Sequence, residues 1–398
     1  YLLKYKMEYY ENYAKFNSKF YSKEKIYFDN PDGNNPFIYH NSLYFPKEML
    51  KDNSYRKNKV PAGLINIGGV CYMNALLQCF YYCLPLTNYF LNIDEFQKKN
   101  FGLVSLGYYD FVKRLNSGDI YAAKKFKEAL LTTDKSFSGN GGKDSKDLAI
   151  FILSELHEEL KENESSVLYY DKSCNRNNKL DVYKEKLNLD NYNNNKTIIS
   201  KTFDFYMLLE QRCGNYYCKG QYKKSVYNIQ NENIIIFELE NVYKEMNLNN
   251  LEISIEDCLL NYKYKKIINC PFCHSKKFEI SKSICTLPKI FIFVMNRGKN
   301  AKFNCKIKIK KELDMSKYYN PIDVKHKEDN TMYDLICLTF VDDWYRGYKH
   351  EGHTFALCKN YNNGNYYIFN DTQVLKTNIN EIYDYNNIPY ILFYERRF

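Results

Sequence analysis

The sequence lacks any uninterrupted apolar run of about 18 residues, the length that a membrane-spanning helix requires. It also lacks a basic start followed by an apolar stretch, which would mark a secretory signal. Of its 398 residues 45% are hydrophobic, enough to bury a sizeable core. The chain begins at Tyr1 rather than at a methionine. We expect a soluble part of a longer protein, with no membrane partner, folded as one large domain with subdomains or as two domains.

Acidic residues are outnumbered, because 57 lysines and arginines face 47 aspartates and glutamates and leave a net charge of +10. An excess of this sign could indicate an acidic partner such as nucleic acid. The lysines are spread thinly along the whole chain, with local runs only at 263–266 and 306–311. This spacing is typical of a solvated surface, so we predict no nucleic-acid partner.

Cysteine pairs are missing from most of the chain. The total of 13 cysteines is odd, and most of them stand singly in apolar segments, unlike the disulfide framework of a small secreted protein. We therefore expect a reducing compartment, the cytoplasm or the nucleus or both. Thiols would stay free there for catalysis or for metal binding.

What the sequence does contain is a change of pattern along the chain. Residues 1–60 are rich in Tyr, Lys and Asn and form an N-terminal extension of unknown role. Apolar residues at three- and four-residue steps predict an amphipathic helix from Cys71 onward and another over about 146–162, with Glu155 turned outward. Residues 161–200 lose this period and suggest a surface insertion. From about residue 201 short β-branched and aromatic runs predict strands. Helices and strands are segregated, which predicts an α+β fold.

Cys71 follows a glycine turn at the start of the first predicted helix, in the segment 63–78, GLINIGGVCYMNALLQ. The helix dipole and nearby backbone N–H groups would stabilise a thiolate there, and the thiolate is the nucleophilic form of cysteine. Asn66, five residues earlier, could fold back and donate its amide to a developing oxyanion. The alternative for an isolated cysteine in such a segment is a buried helix start without chemistry.

A cysteine nucleophile needs a base, and the sequence has only six histidines. His353 stands at the start of a predicted strand, and taken alone it could be a ligand, a core residue or a base. A later predicted strand ends at Asn370 and Asp371, which could orient an imidazole. If the two strands form an antiparallel hairpin, Asn370 lies beside His353. That arrangement would supply a nucleophile, a base and an orienting residue.

Five segments resemble motifs of the ubiquitin-specific proteases, in the order that this family shows them. The segment 63–78 resembles the cysteine box, and residues 352–353 with 369–371 resemble the histidine box. The segment 143–160 is similar to the family's glutamine–aspartate helix. The remaining two resemble the strand before its basic turn and its closing strand: LPKIFIFVMNR at 287–297 and YILFY at 390–394.

The resemblance implies a papain-like cysteine protease fold with a helical thumb, a β fingers insertion and a β-rich palm. The catalytic domain would span 61–398, with the thumb at about 61–200, the fingers at about 201–285 and the palm at about 286–398. We expect a monomeric deubiquitinase that hydrolyses the isopeptide bond after the C-terminal glycine of ubiquitin on protein conjugates. No cofactor would be needed for catalysis.

The same resemblance implies roles for individual residues. By match to the motifs, Cys71 is the nucleophile, His353 is the base, Asn370 is the orienting residue and Asn66 is the oxyanion donor. Asp371 would be a second orienting residue or would assist on the side of the oxyanion.

Three further residues are expected to bind substrate. Asp144 falls on the family's aspartate that meets the ubiquitin tail, Asp147 lies at the acidic position three residues later, and Gly352 precedes the base. The tail carries arginines before its terminal glycines, so carboxylates along its channel suit it. Both aspartates could also serve only to complement a helix dipole.

Two cysteine pairs, Cys213 with Cys218 and Cys270 with Cys273, flank the predicted strand at 234–239. The fingers of the family carry zinc at this position, and four thiolates would make a closed structural site. The first pair is separated by four residues where the family usually has two. Structural zinc is therefore one expectation, and a metal-free pair of turns is the other.

Other functions stay open from the sequence. One is a catalytically weak ubiquitin-binding scaffold, which the intact Cys, His and Asn set argues against. A protease for a ubiquitin-like modifier is another. A zinc-finger nucleic-acid binder would use the positive charge and the two cysteine pairs, but the lysines near Cys270 are too few for it.

Overall fold

The computed structural model describes residues 61–118, 120–138, 143–161, 174–192, 196–248, 251–263, 266–298, 303–322, 330–342, 353–379 and 388–397. The extension predicted over residues 1–60 lies outside these ranges. Within them, no helix is both long enough and apolar enough to cross a membrane.

Helices dominate the first half of the described chain. They are α1 (Cys71–Tyr81), α2 (Leu84–Leu91), α3 (Glu95–Lys98), α4 (Leu103–Ser117), α5 (Lys124–Thr133), α6 (Ser145–Glu159), α7 (Lys179–Tyr192), α8 (Ile198–Phe203), α9 (Leu239–Glu245) and α10 (Ile255–Tyr262).

Strands dominate the second half. They are β1 (Phe205–Cys213), β2 (Val226–Glu232), β3 (Ile235–Glu238), β4 (Glu252–Ser254), β5 (Lys266–Ile268), β6 (Phe278–Ile284), β7 (Ile290–Asn296), β8 (Lys306–Lys308), β9 (Glu312–Asp314), β10 (Met332–Asp342), β11 (His353–Lys359), β12 (Tyr366–Asn370), β13 (Gln373–Thr377) and β14 (Ile388–Arg396).

The larger sheet has the strand order β13-β12-β11-β10-β14-β7-β3, and β9 pairs with one end of β10. Its pairs are antiparallel except for β3 with β7. β7 is a continuous apolar run whose first six residues are buried, as expected for a strand covered on both faces. β11 and β12 pair antiparallel, with Ala356 opposite Phe369, so the predicted hairpin between them forms.

Helix α1 is enclosed by other elements of the described chain. The sequence predicted an amphipathic helix there, but all eleven of its residues are buried, which is typical of a helix covered on all sides. Phe80 packs edge-on against Phe203 of α8 and Phe393 of β14, with ring centroids 6.0 Å and 5.5 Å apart. The helix thus joins the helical half to the larger sheet, and its position fixes Cys71 at their boundary.

The second sheet is four-stranded, with the order β2-β1-β6-β5. It carries Cys213 at the end of β1 and the pair Cys270 and Cys273 between β5 and β6. Strand β3, which falls within the range expected for the fingers, pairs with β7 in the larger sheet. Helices α9 and α10 likewise contribute Leu239 and Cys258 to the core of that sheet.

One local expectation from the sequence is incomplete and another is wrong. The stretch 161–200, predicted as a surface insertion without helical period, contains the whole of α7 and the start of α8, and Val182 and Tyr183 of α7 pack in a cluster with Ile229 of β2. Glu155 is only 8% exposed, because α6 is covered on more than the one face that its apolar repeat suggested.

Candidate active site

Cys71 is the first residue of α1 and is 8% exposed. The turn before it uses two glycines in the left-handed region, Gly68 with φ 95° and Gly69 with φ 61°, a conformation that a side chain disfavours. Asn66 closes this turn, because its Oδ1 accepts hydrogen bonds from the backbone N–H groups of Gly68 (3.1 Å) and Val70 (3.3 Å). The thiol therefore sits at the positive end of a helix dipole.

His353 is the first residue of β11, and its side chain is half-buried beside Cys71. Its Nε2 lies 2.5 Å from the Oδ1 of Asn370, the last residue of β12. This contact leaves Nδ1 as the ring nitrogen available to the thiol. The structure thus brings together the three residues that the sequence proposed as nucleophile, base and orienting residue.

Cys71 and His353 each shift the pKa of the other in the direction that favours the charged form. Burial alone would raise the pKa of Cys71, but hydrogen bonds with the His353 side chain and the Thr354 backbone, together with the charge of His353, bring it below its ordinary value. The hydrogen bond with Cys71 raises the pKa of His353 to about 9 against the effect of partial burial, and the hydrogen bond with Asn370 adds to the rise. Each group therefore shifts the other toward its charged form, thiolate for Cys71 and imidazolium for His353.

Asp371 holds two amides of the site. Its carboxylate accepts from Nδ2 of Asn66 over 3.0 Å and from Nδ2 of Asn74 over 2.8 Å. Asp371 lies in the turn between β12 and β13 with φ 52°, a conformation that Asp and Asn adopt more readily than most residues. Its backbone oxygen accepts from the N–H of Leu64 over 2.8 Å, which ties this turn to the segment leading to Cys71.

The approach of these two segments depends on a glycine. A Cβ added at Gly63 would lie 2.5 Å from the backbone oxygen of Asp371 and 2.7 Å from the backbone of Thr372. A larger residue would therefore push the turn that carries Asp371 away from Asn66.

Asn74 is a residue of the site that the sequence analysis did not single out. It is 2% exposed, and its Oδ1 is buried with no hydrogen-bond partner in the described part of the chain. The available signal was its position three residues after Cys71, which puts both side chains on one face of α1.

The expected substrate-binding residues lie at the start of α6. Asp144 is the N-cap residue, and its Oδ1 accepts from the N–H of Lys146 (2.8 Å) and from the hydroxyl of Tyr390 (2.5 Å). The Nζ of Lys146 lies 3.6 Å from Asp144 and 3.4 Å from Asp147, whose side chain is 62% exposed. Gly352 lies outside the described residues.

The four cysteines of the two pairs converge at one end of the four-stranded sheet. Their Sγ atoms all lie within 4.8 Å of one another, with 3.6 Å between Cys213 and Cys273 and 3.9 Å between Cys218 and Cys270. The longer spacing in the first pair is taken up by a turn in which the N–H of Cys218 bonds to the carbonyl of Asn215.

A comparison with protein families decides the assignment of the chain. The sequence profile described as "Ubiquitin carboxyl-terminal hydrolase" matches residues 62–394. The chain belongs to this family.

Individual members of the ubiquitin carboxyl-terminal hydrolase family match shorter stretches. Ubiquitin carboxyl-terminal hydrolase 10 of Arabidopsis thaliana is 36% identical over 107 residues, which are 25% of this chain and 12% of that protein. Ubiquitin carboxyl-terminal hydrolase 15 of Homo sapiens is 35% identical over 117 residues, 26% of this chain and again 12% of the relative. The match therefore spans only a small part of these relatives' length.

Solved structures show the fold of the family. The yeast SAGA DUB module with a mutated Sgf73 is similar with a TM-score of 0.59 and 20% identity, over 88% of this chain and 74% of that chain. The SAGA Ubp8/Sgf11/Sus1/Sgf73 DUB module bound to ubiquitin aldehyde has a TM-score of 0.57 and 19% identity, over 85% and 70% of the respective chains. The predicted α+β fold of a ubiquitin-specific protease is confirmed.

The donor set at the end of the four-stranded sheet fits a structural zinc ion. A tetrahedral ion with zinc–sulfur bonds of about 2.3 Å sets its sulfurs about 3.8 Å apart. The sulfur–sulfur distances of 3.6 Å between Cys213 and Cys273 and 3.9 Å between Cys218 and Cys270 lie on either side of that value. Cys213, Cys218, Cys270 and Cys273 could therefore hold zinc, which in a site closed by four thiolates would be structural.

Proposed function

We propose that the chain is a deubiquitinase, a thiol hydrolase that cuts the isopeptide bond after the C-terminal glycine of ubiquitin on protein conjugates. The observation that carries this proposal is the contact of Cys71 with His353, with Asn370 at the other ring nitrogen. In a ubiquitin carboxyl-terminal hydrolase this set has the chemistry of a nucleophile, a base and an orienting residue.

Acylation begins with the Cys71 thiolate. It attacks the carbonyl carbon of the terminal glycine of ubiquitin, and the carbonyl oxygen becomes an oxyanion. The imidazolium of His353 then gives its proton to the lysine amine as the carbon–nitrogen bond breaks. Asn370 keeps the ring in the plane that this transfer needs, since it accepts the hydrogen bond of Nε2–H.

Asn66 is proposed as the side-chain donor to the oxyanion. Its Nδ2 carries two hydrogens, of which Asp371 takes one, and the second is free for the substrate. Its Oδ1 is held by the backbone of the turn, so the amide is fixed from both ends before the substrate arrives. A donor that needs no reorganisation in the reaction is the most effective kind. Asp371 would act here as a positioning residue through Asn66 and Asn74.

Deacylation uses the same groups in reverse. His353, now neutral, takes a proton from water, and the resulting hydroxide attacks the thioester between Cys71 and ubiquitin. Ubiquitin leaves with a free carboxylate, and the thiolate and imidazolium are restored. No step calls for a cofactor, and zinc between β1 and β6 would act only on the stability of the four-stranded sheet.

Ubiquitin is the proposed partner. Two solved structures of the same fold are described as a DUB module bound to ubiquitin aldehyde and to monoubiquitin. Asp144, Asp147 and Gly352 are proposed to meet the ubiquitin tail, with the two carboxylates facing its arginines. We further propose a monomer in the cytoplasm or nucleus, with thumb, fingers and palm limits near residues 200 and 285.

The test is reaction of the purified chain with ubiquitin that carries a thiol-reactive warhead at its C-terminus, read by intact mass. We expect one ubiquitin adduct per chain, which is absent in Cys71→Ala. A ubiquitin-like modifier with the same warhead is the matched control and should leave the chain unmodified.

Two outcomes would contradict the proposal in different ways. Binding of ubiquitin without an adduct would indicate a scaffold that has lost its chemistry. An adduct only with the ubiquitin-like modifier would leave the mechanism intact and change the substrate.

A further inference from the structure

A second group of cysteines lies in the core, apart from both the catalytic residues and the four-cysteine site. Cys79, Cys337 and Cys358 have Sγ atoms that all lie within 4.8 Å of one another, and we call them the trithiol cluster. Each of the three is 0% exposed, and each is a free thiol. The proposed mechanism uses none of them.

Three elements bring these thiols together. Cys337 of β10 stands directly opposite Cys358 of β11 in the antiparallel register, so their side chains leave the sheet on the same face. Cys79 comes from the buried helix α1, which packs on that sheet, and the Sγ of Cys337 lies 3.8 Å from the carbonyl oxygen of Cys79. The positions of the three sulfurs are therefore determined by the register of β10 with β11 and by the packing of α1 on that sheet.

The spacing of the sulfurs is that of ligands to one small centre. A trigonal centre with metal–sulfur bonds of about 2.3 Å places its sulfurs about 4.0 Å apart. The upper limit of 4.8 Å in the cluster is within a small side-chain adjustment of this value. Sulfur donors select soft or thiophilic elements.

The net charge of the complex decides which of these elements suits the buried site. Cys79, Cys337 and Cys358 are each 0% exposed, so any net charge on a complex with their sulfurs would be buried in the core. Three thiolates with zinc carry one negative charge, and with copper(I) they carry two. Burying an uncompensated charge is strongly unfavourable. A trivalent centre with three thiolates is neutral and avoids this cost.

We propose that the trithiol cluster is a binding site for a trivalent metalloid of the arsenic group, held by the sulfurs of Cys79, Cys337 and Cys358. With arsenite the reaction is As(OH)₃ plus three thiols giving As(SR)₃ plus three waters. Three arsenic–oxygen and three sulfur–hydrogen bonds break, three arsenic–sulfur and three oxygen–hydrogen bonds form, and no electron is transferred. The product ties α1 to β10 and β11, the helix and sheet on which Cys71 and His353 stand.

Entry requires local opening of the core, because all three thiols are fully buried. The rate of binding is therefore expected to level off at high arsenite concentration, where opening limits it. Once bound, the metalloid should slow every later opening of the same region. The slower opening can be measured on the unaltered chain, as a slower alkylation of the three thiols.

The experiment adds sodium arsenite to the full chain loaded with zinc, so that the four-cysteine site is occupied. Two readouts apply: the arsenic X-ray absorption spectrum, and the rates at which iodoacetamide alkylates each cysteine, mapped by peptide mass. We expect one arsenic per chain with three sulfur neighbours. At arsenite 100 times its dissociation constant, alkylation of Cys79, Cys337 and Cys358 should slow by about 100-fold.

Variants separate this site from the other thiols. Cys358→Ala should lose the three-sulfur complex, while Cys83→Ala, which removes a neighbouring thiol outside the cluster, should keep it. Thermal unfolding of both variants checks that each is folded. The alkylation rates are measured on the unaltered chain, so they test the proposal even if a variant fails to fold. Arsenic bound only by Cys213, Cys218, Cys270 and Cys273 would overturn the proposal. So would a centre with fewer than three sulfurs, or alkylation rates in the cluster that arsenite leaves unchanged.

Discussion

The side-chain amide of Asn66 donates to the carboxylate of Asp371 over 3.0 Å, although 305 positions separate them in the sequence. The other oxygen of the same carboxylate holds Asn74, so one side chain fixes two amides around the start of α1. A donor to the oxyanion lowers the barrier only to the extent that it is fixed before charge develops. The role of Asp371 should therefore be visible in the rate of the chemical step.

Asn66→Ala is expected to lower kcat by about 10²- to 10³-fold, the range observed when one oxyanion donor is removed. KM for a ubiquitin C-terminal amide substrate should change little, because the donor acts on the transition state. Asp371→Asn keeps a residue that tolerates φ 52° but replaces one of the two accepting oxygens by a donor. It should lower kcat in the same direction by a smaller factor.

The double variant Asn66→Ala with Asp371→Asn tests whether the two residues act as a unit. We expect Asp371 to act on the chemical step mainly through the Asn66 amide, so the loss in kcat should be close to that of Asn66→Ala alone, whereas a contribution through Asn74 would add to it. Multiplied losses would show that Asp371 contributes by another route.

The pH dependence of kcat/KM should report the pair of Cys71 and His353. The pKa of Cys71 lies below its ordinary value and that of His353 is about 9, so thiolate and imidazolium coexist between the two. Activity should fall at acid pH as the thiolate is protonated and fall again above about pH 9 as His353 loses its proton. The same raised pKa means that His353 stabilises the fold below its ordinary pKa, and this contribution is lost as pH rises through about 9.

Asn370→Ala is expected to move the basic side of this profile to lower pH, because the hydrogen bond of Asn370 helps to raise the pKa of His353. Gln373→Ala removes an exposed carboxamide from the next strand and is the matched control, which should leave the profile in place. A basic side that does not move in Asn370→Ala would mean that Asn370 does not orient the charged ring.

The residues of the candidate site differ in how far the sequence could predict them. Cys71 and His353 each begin an element whose pattern is local, a helix after two glycines and a strand after a loop, and both starts are confirmed. The place of Asn74 on the face of Cys71 could be predicted, but its partner could not, because that partner is set by the left-handed turn at Asp371 on a distant hairpin. Neither periodicity nor composition carries that information.

The misread helices have a physical explanation as well. Glu155 was placed outward by a one-face rule, which fails when a helix is packed on more than one side. Glu159, on the same helix, accepts hydrogen bonds from the N–H groups of Val104 and Ser105, so its carboxylate caps the start of α4. Helix α7 lacks a continuous apolar stripe and is stabilised instead by a few contacts with the four-stranded sheet. These are tertiary effects that a local pattern does not contain.

Zinc is expected at one ion per chain, bound by Cys213, Cys218, Cys270 and Cys273. Cys273→Ser should lose the ion and lower the unfolding temperature of the four-stranded sheet, because binding free energy in a closed thiolate site contributes to folding. The rate of reaction of Cys71 with iodoacetamide should stay unchanged, since the site supplies no group to the chemistry. Metal analysis and calorimetry provide the measurements.

Cys174→Ser is the control for this change, because Cys174 is a partly exposed thiol outside the four-cysteine site. It should keep the zinc and the unfolding temperature. A chain isolated without zinc that unfolds at the same temperature before and after zinc is added would support metal-free turns instead.

Asp144 allows charge and helix capping to be separated. Its Oδ1 caps α6 and accepts from Tyr390, while its charge is proposed to face the arginines of the ubiquitin tail. Asp144→Asn keeps an N-cap of nearly equal strength and removes the charge, so KM should rise while the free energy of unfolding changes by a few tenths of a kcal/mol, about the difference between such caps. Asp144→Ala should raise KM similarly and also cost about 1 kcal/mol of stability.

Asp147→Asn completes the set, because Asp147 is exposed and lies on the first turn of the same helix without capping it. If both carboxylates meet the tail, its KM should rise as well, with stability reduced only by the small dipole term of about 0.3–1 kcal/mol. Ubiquitin with its tail arginines changed to alanine should abolish the difference between the chain and both asparagine variants. A KM that rises in Asp144→Ala but not in Asp144→Asn would show that Asp144 serves the helix and Tyr390 alone, because only the loss of the cap would then matter.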